Sequence, residues 1–210
     1  MIIKYLQQVD STHTYLKNYI KNNNITNIAI VTQDQTNGIG SRDNSWYGQK
    51  GNLFFSFVIK RSDLPLDLPL QSASIYLSFL LKEILSQQSS QIWLKWPNDF
   101  YINRKKIGGT ITTLSSNFLI CGIGLNLQFT DNQFGYLDIN IDIDSTLKQY
   151  FELVESKISW KKIFSKYLIE FNKSKHYNTT IKDQKISLKD AILNDDGSIE
   201  INNEKVFSLR

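Results

Sequence analysis

The sequence predicts an α+β fold in which a mixed β-sheet is flanked by helices. Its β-type segments follow one another along the chain and do not alternate regularly with helices. Two segments, residues 72–87 and 159–174, have the three-to-four residue period of amphipathic helices. Of the 210 residues, 41% are hydrophobic and 12% are aromatic, which is enough to bury one sizeable core.

The first half of the chain is predicted to contain two helices and two strands. Residues 10–23 form the first helix, and its candidate N-caps are Asp10, Ser11 and Thr12. Residues 28–32 and 53–60 are apolar runs typical of buried strands. The second helix, 72–87, has the clearest pattern, with apolar residues at spacings of three and four: Ala73, Tyr76, Leu77, Leu80, Leu81 and Ile84.

The second half is predicted to begin with four strands joined by tight turns, at residues 92–96, 100–103, 106–114 and 118–129. Helix 159–174 follows, with Ser159 as its cap and an inward face of Ile163, Phe164, Tyr167, Leu168 and Phe171. From about residue 180, short β-like pieces surround an Asp-Asp-Gly turn. We therefore expect a main domain over 1–178 and a small β module over 179–210, too short for a core of its own.

Composition excludes several classes of protein. The single cysteine, Cys121, rules out an internal disulfide framework and favours a reducing compartment. No apolar run reaches the roughly 18 residues of a membrane span, and no signal peptide is recognisable, so we expect a soluble, cytoplasmic protein. The net charge of +4 suits an anionic small molecule as well as a polyanion. His13 and His176 lack metal-site spacing, so neither a structural metal nor a covalent Ser-His mechanism is expected.

Eight of the ten glycines fall into three clusters beside predicted strands: Gly38, Gly40, Gly48 and Gly51; Gly108 and Gly109; Gly122 and Gly124. Glycine weakens regular structure, so such clusters indicate places where the backbone approaches a ligand closely. Turns and bulges are the alternative explanation for any single cluster.

The first cluster lies in the connection over residues 32–52, which is far longer than the usual ~4–6 residues. Its Gln35, Arg42 and Trp46 offer an amide, a permanent cation and an apolar plate. We interpret the segment as a loop that folds over a ligand, with a mobile surface loop as the alternative.

The second cluster belongs to the stretch LKWPNDFYINRKKIGGTI at residues 94–111. Lys106 opens a strand that runs straight into Gly108 and Gly109, so its ammonium can reach a carboxylate or phosphate lying against bare backbone. Asp99 could orient that lysine, hold a metal through water, or serve only as a turn residue. The third cluster, CGIGLN at 121–126, opens a slot beside a strand, where Asn126 offers an amide.

These motifs together resemble the biotin–protein ligases, or biotin–[acetyl-CoA-carboxylase] synthetases, in the form that lacks an N-terminal DNA-binding domain. The resemblance covers residues 10–127 and rests on ordered motifs: Asp10-Ser11-Thr12, Gln35-Thr-Asn-Gly38-Ile-Gly40, Trp46, Gly51-Asn52-Leu53, Lys95-Trp96-Pro97-Asn98-Asp99, Lys106-Ile-Gly-Gly109 and Gly122-Ile-Gly124-Leu-Asn126. Residues 130–210 match loosely, chiefly at the Asp-Asp-Gly turn of the family's SH3-like C-terminal module.

The resemblance implies a class II synthetase-like catalytic domain and a two-step reaction. Biotin's carboxylate attacks the α-phosphate of ATP to give biotinyl-5′-AMP and pyrophosphate, with Mg²⁺ as cofactor. A lysine of a biotin carboxyl carrier protein then attacks the mixed anhydride and releases AMP. The resemblance further implies a monomer or homodimer and, without a helix-turn-helix, no sequence-specific DNA binding.

The same resemblance implies the site. Biotin would contact Ser11, Thr12, Gln35, Gly38, Ile39, Lys106, Gly109 and Gly122. ATP or the adenylate would contact Gly40, Ser41, Arg42, Trp46, Lys95, Asn98 and Asn126. Lys106 and Arg42 would act in catalysis, Asp99 would hold Mg²⁺ through water, and residues 130–141, with Phe134 and Tyr136, would cover the adenine.

The glycine loop departs from the family pattern. Where the family commonly has Gly-Arg-Gly-Arg-Arg-Gly, this chain has Gly38-Ile-Gly-Ser-Arg-Asp43, so Arg42 alone remains as a cation. We expect Arg42 to take a larger part in retaining the adenylate. The family's Gly-Ile-Leu after the lysine is Gly109-Thr-Ile111 here.

Three alternatives remain at this point. A lipoate–protein ligase would share the fold, but that family's Arg-Arg-x-Ser-Gly-Gly-Gly motif and following His-Asp pair are missing. A nucleic-acid-binding module would need clustered cations among exposed aromatics, whereas here the cations are scattered. A non-catalytic ligand-binding relative is opposed by the presence of Lys95, Asp99 and Lys106.

Overall fold

The computed structural model describes residues 1–23, 26–40, 45–46, 48–115, 117–129, 133–182 and 184–207. In chain order the elements are β1 (Ile2–Leu6), α1 (Thr12–Asn23), β2 (Ile28–Thr32), β3 (Gly38–Ile39), β4 (Ser45–Trp46), β5 (Leu53–Lys60), α2 (Ala73–Gln87), β6 (Trp93–Lys95), β7 (Asp99–Ile102), β8 (Lys105–Leu114), β9 (Phe118–Leu125), α3 (Ile143–Glu155), α4 (Trp160–Ser174), β10 (Asn178–Ile181), β11 (Gln184–Ser187), β12 (Ile192–Leu193), β13 (Ile199–Ile201) and β14 (Glu204–Val206).

Seven strands form one mixed sheet in the order β1-β2-β5-β9-β8-β7-β6. β1 and β2 run parallel, and the other neighbouring pairs are antiparallel. The register places Gly109, Gly122 and Gly124, from the second and third glycine clusters, in two rows across the sheet. One row joins Asp99, Gly109, Gly124 and Phe54, and the other joins Ile111, Gly122 and Ser56.

The two faces of the sheet are covered unequally. On one face, α2 and α3 complete a large core in which Phe55 and Phe57 from β5 meet Tyr150 and Phe151 edge to face, at centroid distances of 5.3–6.3 Å. On the other face, α1 closes a small cluster of five buried residues: Leu16, Ile28, Ile30, Val58 and Ile120. The alternation of side chains along β5 sends Phe55 and Phe57 to the first face and Val58 to the second.

The C-terminal sheets contribute Ile181, Ile199 and Ile201 to the large core, and the turn at residues 195–197 makes hydrogen bonds to the main domain. The indole N–H of Trp96 donates to the Gly197 carbonyl at 3.0 Å, and that of Trp160 donates to the Asp195 carbonyl at 2.7 Å. The Trp96 backbone N–H donates to Ser174 Oγ at 3.0 Å. Gly197 has φ +80°, and a Cβ there would lie 2.4 Å from Ser72 Oγ, so the tight contact requires glycine.

The α+β fold with a mixed sheet and small C-terminal sheets is confirmed, and β2 and β5 lie where they were predicted. Ser11 caps α1 by accepting from the Thr14 N–H at 3.3 Å. Leu168 was wrongly predicted to face inward, since its side chain is 46% exposed. The strand predicted over 118–129 ends at Leu125, and beyond it the Leu127 and Gln128 N–H groups donate to the Asn52 side chain.

The elements that were not predicted include β1, α3 and the short β3–β4 hairpin, which lies within the predicted loop over residues 32–52. β1 is a short edge strand with Ile2 and Tyr5 exposed, so its sequence lacks a buried apolar run. α3 begins at the N-cap Asp142, which accepts from the Ser145 N–H at 2.7 Å. The division into domains at 178/179 stays a prediction; β10 begins at Asn178, next to that boundary. None of the helices in the described ranges has the length and apolarity that crossing a membrane requires.

Candidate functional site

A cavity of about 210 Å³ lies on the α1 side of the sheet, over the two glycine rows. The predicted site residues that line it are Ser11, Thr12, Gln35, Ile39, Gly40, Trp46, Asn98, Asp99, Lys106, Gly109, Gly122 and Asn126. Gly122 and Gly124 have no side chains, which leaves space above the strand at the bottom of the cavity. A Cβ at Gly124 would lie 3.0 Å from the Trp46 ring, and one at Gly122 would lie 3.0 Å from Ser56 Oγ.

One end of the cavity is uncharged and its hydrogen bonds have a fixed direction. The Thr12 backbone N–H, which can only donate, bonds the Gln35 side chain at 2.9 Å, and this identifies the accepting atom as Oε1. The Thr12 hydroxyl therefore donates to the same oxygen, at 3.2 Å. Because its one proton is used, the 2.9 Å contact between Thr12 and Ser56 must be donated by Ser56. Ser56 can then only accept from a ligand, whereas the Gln35 Nε2 amino group can donate.

The other end is charged. Lys106 Nζ lies 2.6 Å from Asp99 Oδ1, and Lys95 Nζ lies 3.5 Å from Asp99 Oδ2. Burial raises the pKa of Asp99, but the two ammonium groups outweigh it and hold that pKa below its ordinary 3.8. The carboxylate is therefore ionised at neutral pH, and two cations face one anion. This net positive charge is suited to an incoming anion.

Lys106 is also placed against an aromatic ring, with Nζ 5.5 Å from the centroid of Trp46. Trp46 reaches this position from the β3–β4 hairpin, in which it pairs with Gly38. Gly38 itself does not line the cavity. A Cβ there would lie 2.3 Å from Gln35 Nε2 and 2.8 Å from the Trp46 carbonyl, so this glycine lets the hairpin close onto Gln35.

The two predicted asparagines hold backbone segments at the cavity rim. The Asn98 side chain donates to the Thr110 carbonyl, and the Thr110 N–H donates back to the Asn98 carbonyl at 3.0 Å. Asn126 Nδ2 donates to the Gly135 carbonyl at 3.1 Å, which ties the segment carrying Phe134 to the end of β9. Phe134 lines the cavity, whereas Tyr136 is 47% exposed.

Besides Gly38, Lys95 is a predicted site residue that is described in the structure but does not line the cavity. Lys95 is buried behind Asp99, with its ammonium 5.8 Å from the Tyr101 ring centroid. Ser41 and Arg42 lie outside the described residues, so their predicted contacts with the adenylate are not placed.

The cavity wall also contains residues that were not predicted as part of the site: His13, Phe54, Ser56, Thr110, Ile111 and Ile123. Ser56 had a detectable signal, because it is the one polar residue inside the apolar run Leu53–Ile59 of β5. His13 directly follows the Ser-Thr pair at the start of α1, but sequence alone does not show which way a helix faces.

His13 is buried, with 7% of its side chain exposed, and its Nε2 lies 3.1 Å from Thr113 Oγ1. Burial, and then the nearby Lys17, lower its pKa from the ordinary 6.5 to about 4. The unfolded chain therefore takes up a proton on this histidine between pH 6.5 and 4, and the folded chain does not.

The buried, neutral His13 contributes fully to the free energy of unfolding above pH 6.5. As the pH falls from 6.5 to 4 we expect this contribution to decrease by about 3 kcal/mol. Urea unfolding of wild type and His13→Asn across this pH range would measure it. The variant should lose less stability on acidification, and the exposed His176→Asn should follow wild type. Identical pH profiles for His13→Asn and wild type would contradict the burial of a neutral imidazole.

Comparisons with known proteins agree with this geometry. Residues 5–127 match the biotin/lipoate A/B protein ligase family. The bifunctional ligase/repressor BirA of Bacillus subtilis (strain 168) is 30% identical over 150 residues, covering 69% of this chain and 46% of that protein. The chain thus spans about half the length of the curated relatives it matches.

Solved structures match over almost the whole chain. The biotin acetyl coenzyme A carboxylase synthetase of Helicobacter pylori, with bound biotinylated ATP, is 39% identical with a TM-score of 0.93, covering 98% of both chains. The biotin protein ligase of Aquifex aeolicus, in complex with biotin and ATP, is 26% identical with a TM-score of 0.75, covering 100% of this chain and 98% of that one. The chain belongs to the biotin/lipoate A/B protein ligase family.

Proposed function

We propose that this protein is an ATP-dependent biotin–protein ligase. The observation that carries the proposal is the pairing of an uncharged, directional hydrogen-bonding end at Thr12, Gln35 and Ser56 with a cationic end at Lys106, in one cavity. The two glycine rows that mark these ends lie two residues apart along the strands, about 7 Å. Biotin has this polarity: an uncharged ureido ring, an apolar chain and a carboxylate. The bound ligands of the Helicobacter and Aquifex structures support the proposal.

In this proposal the ring lies against Ser11, Thr12 and Gln35, and the chain runs over Gly122 and Gly109 towards Lys106. Lys106 holds the carboxylate against the α-phosphate of ATP. A carboxylate oxygen attacks phosphorus, the bond to the bridging oxygen breaks, and pyrophosphate leaves with the electron pair. Lys106 offsets the repulsion of two anions and the charge that develops on the phosphoryl oxygens. Asp99 keeps this ammonium oriented.

The second step transfers biotin to a lysine amine of a biotin carboxyl carrier domain and releases AMP. The adenylate is proposed to contact Gly40, Trp46, Asn98 and Asn126, which line the cavity, together with Ser41 and Arg42. Trp46 and Phe134 would shield the anhydride from water. We place the reaction in the cytoplasm, with the protein acting as a monomer or homodimer.

Mg²⁺ is proposed to arrive with the ATP phosphates. Both Asp99 oxygens face lysine ammonium groups, so this carboxylate is suited to a contact through water and not to direct ligation. Among the described residues, no group of three or more His, Cys, Asp or Glu side chains is gathered as metal ligands. The ion would supply charge neutralisation on the phosphates.

The test is exchange of labelled pyrophosphate into ATP by the purified protein with Mg²⁺. Exchange should require biotin, and lipoate should not replace it, because a dithiolane ring offers neither an oxygen acceptor for Gln35 Nε2 nor an N–H donor for Ser56 Oγ. Exchange with lipoate alone would assign the protein to the other branch of the family. Biotin binding without exchange would leave a binding protein that lacks the ligase reaction.

Gly122→Ala should weaken biotin binding by about tenfold or more, because the added methyl enters the cavity floor and forces its neighbours to move. That methyl would lie 3.0 Å from Ser56 Oγ and 3.2 Å from both His13 Nδ1 and Ile111 Cγ1. Calorimetric titration with biotin measures the change. Lys105→Ala is the control, because its exposed side chain lies on β8 outside the cavity wall and the variant should bind biotin like wild type. Equal losses of affinity in both variants would contradict this placement of the ligand.

A further inference from the structure

His13 has a buried polar atom beside the cavity floor, and the reaction described above does not use it. The residue lies in the first turn of α1, lines the cavity wall and is 7% exposed. Its ring is fixed by Nε2, which lies 3.1 Å from Thr113 Oγ1 on β8. The opposite ring nitrogen, Nδ1, is buried and has no hydrogen-bond partner among the residues that the structure describes.

The position of Nδ1 is defined by its neighbours on the cavity floor. A Cβ built on Gly122 would lie 3.2 Å from His13 Nδ1 and 3.0 Å from Ser56 Oγ. The two polar atoms therefore flank the same space above Gly122, where the missing side chain leaves room for a ligand. Ser56 is limited to accepting there, because its proton is donated to Thr12.

The protonation state of the His13 imidazole allows it to act as a second hydrogen-bond acceptor, beside Ser56 Oγ. Its lowered pKa means that the ring is neutral at pH 7 and carries one proton on one nitrogen. In the tautomer that we assign to this ring, the proton is on Nε2 and is donated to Thr113 Oγ1, which leaves Nδ1 as an acceptor beside the space above Gly122. A buried acceptor without a donor costs about 1–3 kcal/mol, which a ligand N–H would recover.

We propose that His13 is a specificity-determining residue of the ligand site, whose Nδ1 accepts a hydrogen bond from a ring N–H of the bound biotin. The inference rests on the proposed function and extends it. A ureido group has two N–H donors and one carbonyl acceptor. Gln35 Nε2 supplies a donor for the carbonyl, and Ser56 Oγ and His13 Nδ1 supply two acceptors for the N–H groups.

Two substitutions separate this role from a structural one. In asparagine the terminal oxygen and nitrogen are bonded to Cγ, as Nδ1 is in histidine. In glutamine they lie one bond further from the backbone, as Nε2 does in histidine. His13→Asn therefore keeps a polar atom towards the ligand and gives up the contact with Thr113. His13→Gln keeps the contact with Thr113 and gives up the one with the ligand.

The dissociation constant of biotin is measured by calorimetry for wild type and both variants, with thermal unfolding as a check of folding. His13→Gln should bind biotin about tenfold more weakly, and His13→Asn should stay within about threefold of wild type. Each mono-N-methyl isomer of biotin lacks one of the two ureido N–H groups. For at least one isomer, wild type and His13→Gln should therefore have the same dissociation constant.

The opposite ranking, with His13→Gln like wild type and His13→Asn weakened, would show that the Thr113 contact is what matters and would overturn the proposal. Unchanged affinity in both variants would overturn it too. If His13→Gln does not fold, the test is the affinity of the wild-type protein for the two N-methyl isomers. If wild type binds both isomers as tightly as biotin, the proposal is contradicted. Wild type that binds no biotin at all would instead overturn the proposed function, and the inference with it.

Discussion

Lys106→Ala should reduce biotin-dependent pyrophosphate exchange by about 10³-fold, the loss expected when one preorganised charge is removed from a polar transition state. Lys106 lies at the cavity wall, 29% exposed, with its ammonium 2.6 Å from Asp99 and 5.5 Å from the Trp46 ring centroid. Its removal leaves the two reacting anions with weaker compensation of their charge. Asp99 would also keep only the longer contact to Lys95, at 3.5 Å.

Lys105→Ala is the matched control for this experiment. Lys105 is the preceding residue of β8, carries the same charge, and has an exposed side chain outside the cavity wall. Its variant should exchange pyrophosphate within about twofold of wild type, because exposed charges contribute little at a distance in salt solution. A Lys106→Ala protein that retained a tenth or more of the wild-type rate would exclude Lys106 as the group that brings the carboxylate and phosphate together.

Trp96→Ala should lower the free energy of unfolding by about 3–5 kcal/mol, with a further cost for the Gly197 carbonyl that loses its donor. Trp96 is fully buried in the large core, and its indole N–H bonds Gly197 at 3.0 Å. It also directly precedes Pro97, Asn98 and Asp99, two of which line the cavity. The substitution should therefore lower exchange activity as well as stability.

Trp96→Phe separates packing from the hydrogen bond. Phenylalanine fills much of the same volume but has no donor for Gly197, so we expect a loss of about 1–3 kcal/mol. Urea unfolding of the two variants and wild type measures both terms. A Trp96→Ala protein that lost less than about 1 kcal/mol would contradict the role of this side chain in joining the main sheet to the 195–197 turn.

The parts of the site that could be predicted are those with a local chemical signature. Lys106 is a cation beside paired glycines, and Gly109 and Gly122 lie in apolar strands where glycine is unfavourable, so each stands out in one short stretch. Ser56 and His13 have no such signature. Their importance follows from the register that sets Ser56 opposite Gly122, and from the docking of α1 across β9, which are contacts between distant parts of the chain.

The secondary structure likewise divides into elements that have a local sequence pattern and elements that depend on contacts with distant parts of the chain. β5 could be predicted because Leu53–Ile59 is apolar almost throughout, as a central strand buried on both faces must be. β1 could not, because it is an exposed edge strand whose existence depends on parallel pairing with β2. α3 could have been found, since Leu147, Tyr150, Phe151 and Val154 form a helical stripe behind the capping Asp142.

Ligand affinity is expected to depend on the small hydrophobic cluster between α1 and the sheet, although its residues are far from the ligand. The first turn of α1 carries Thr12 and His13 in the cavity wall. In the rest of the helix Leu16 is the residue buried in the small cluster, and Tyr15, Tyr19 and Ile20 are partly buried against it. A helix with so few apolar contacts separates from its sheet more readily than the global unfolding free energy suggests. Binding at the first turn and docking of the helix are then thermodynamically linked, so any change that loosens Leu16 also lowers the apparent affinity for the ligand.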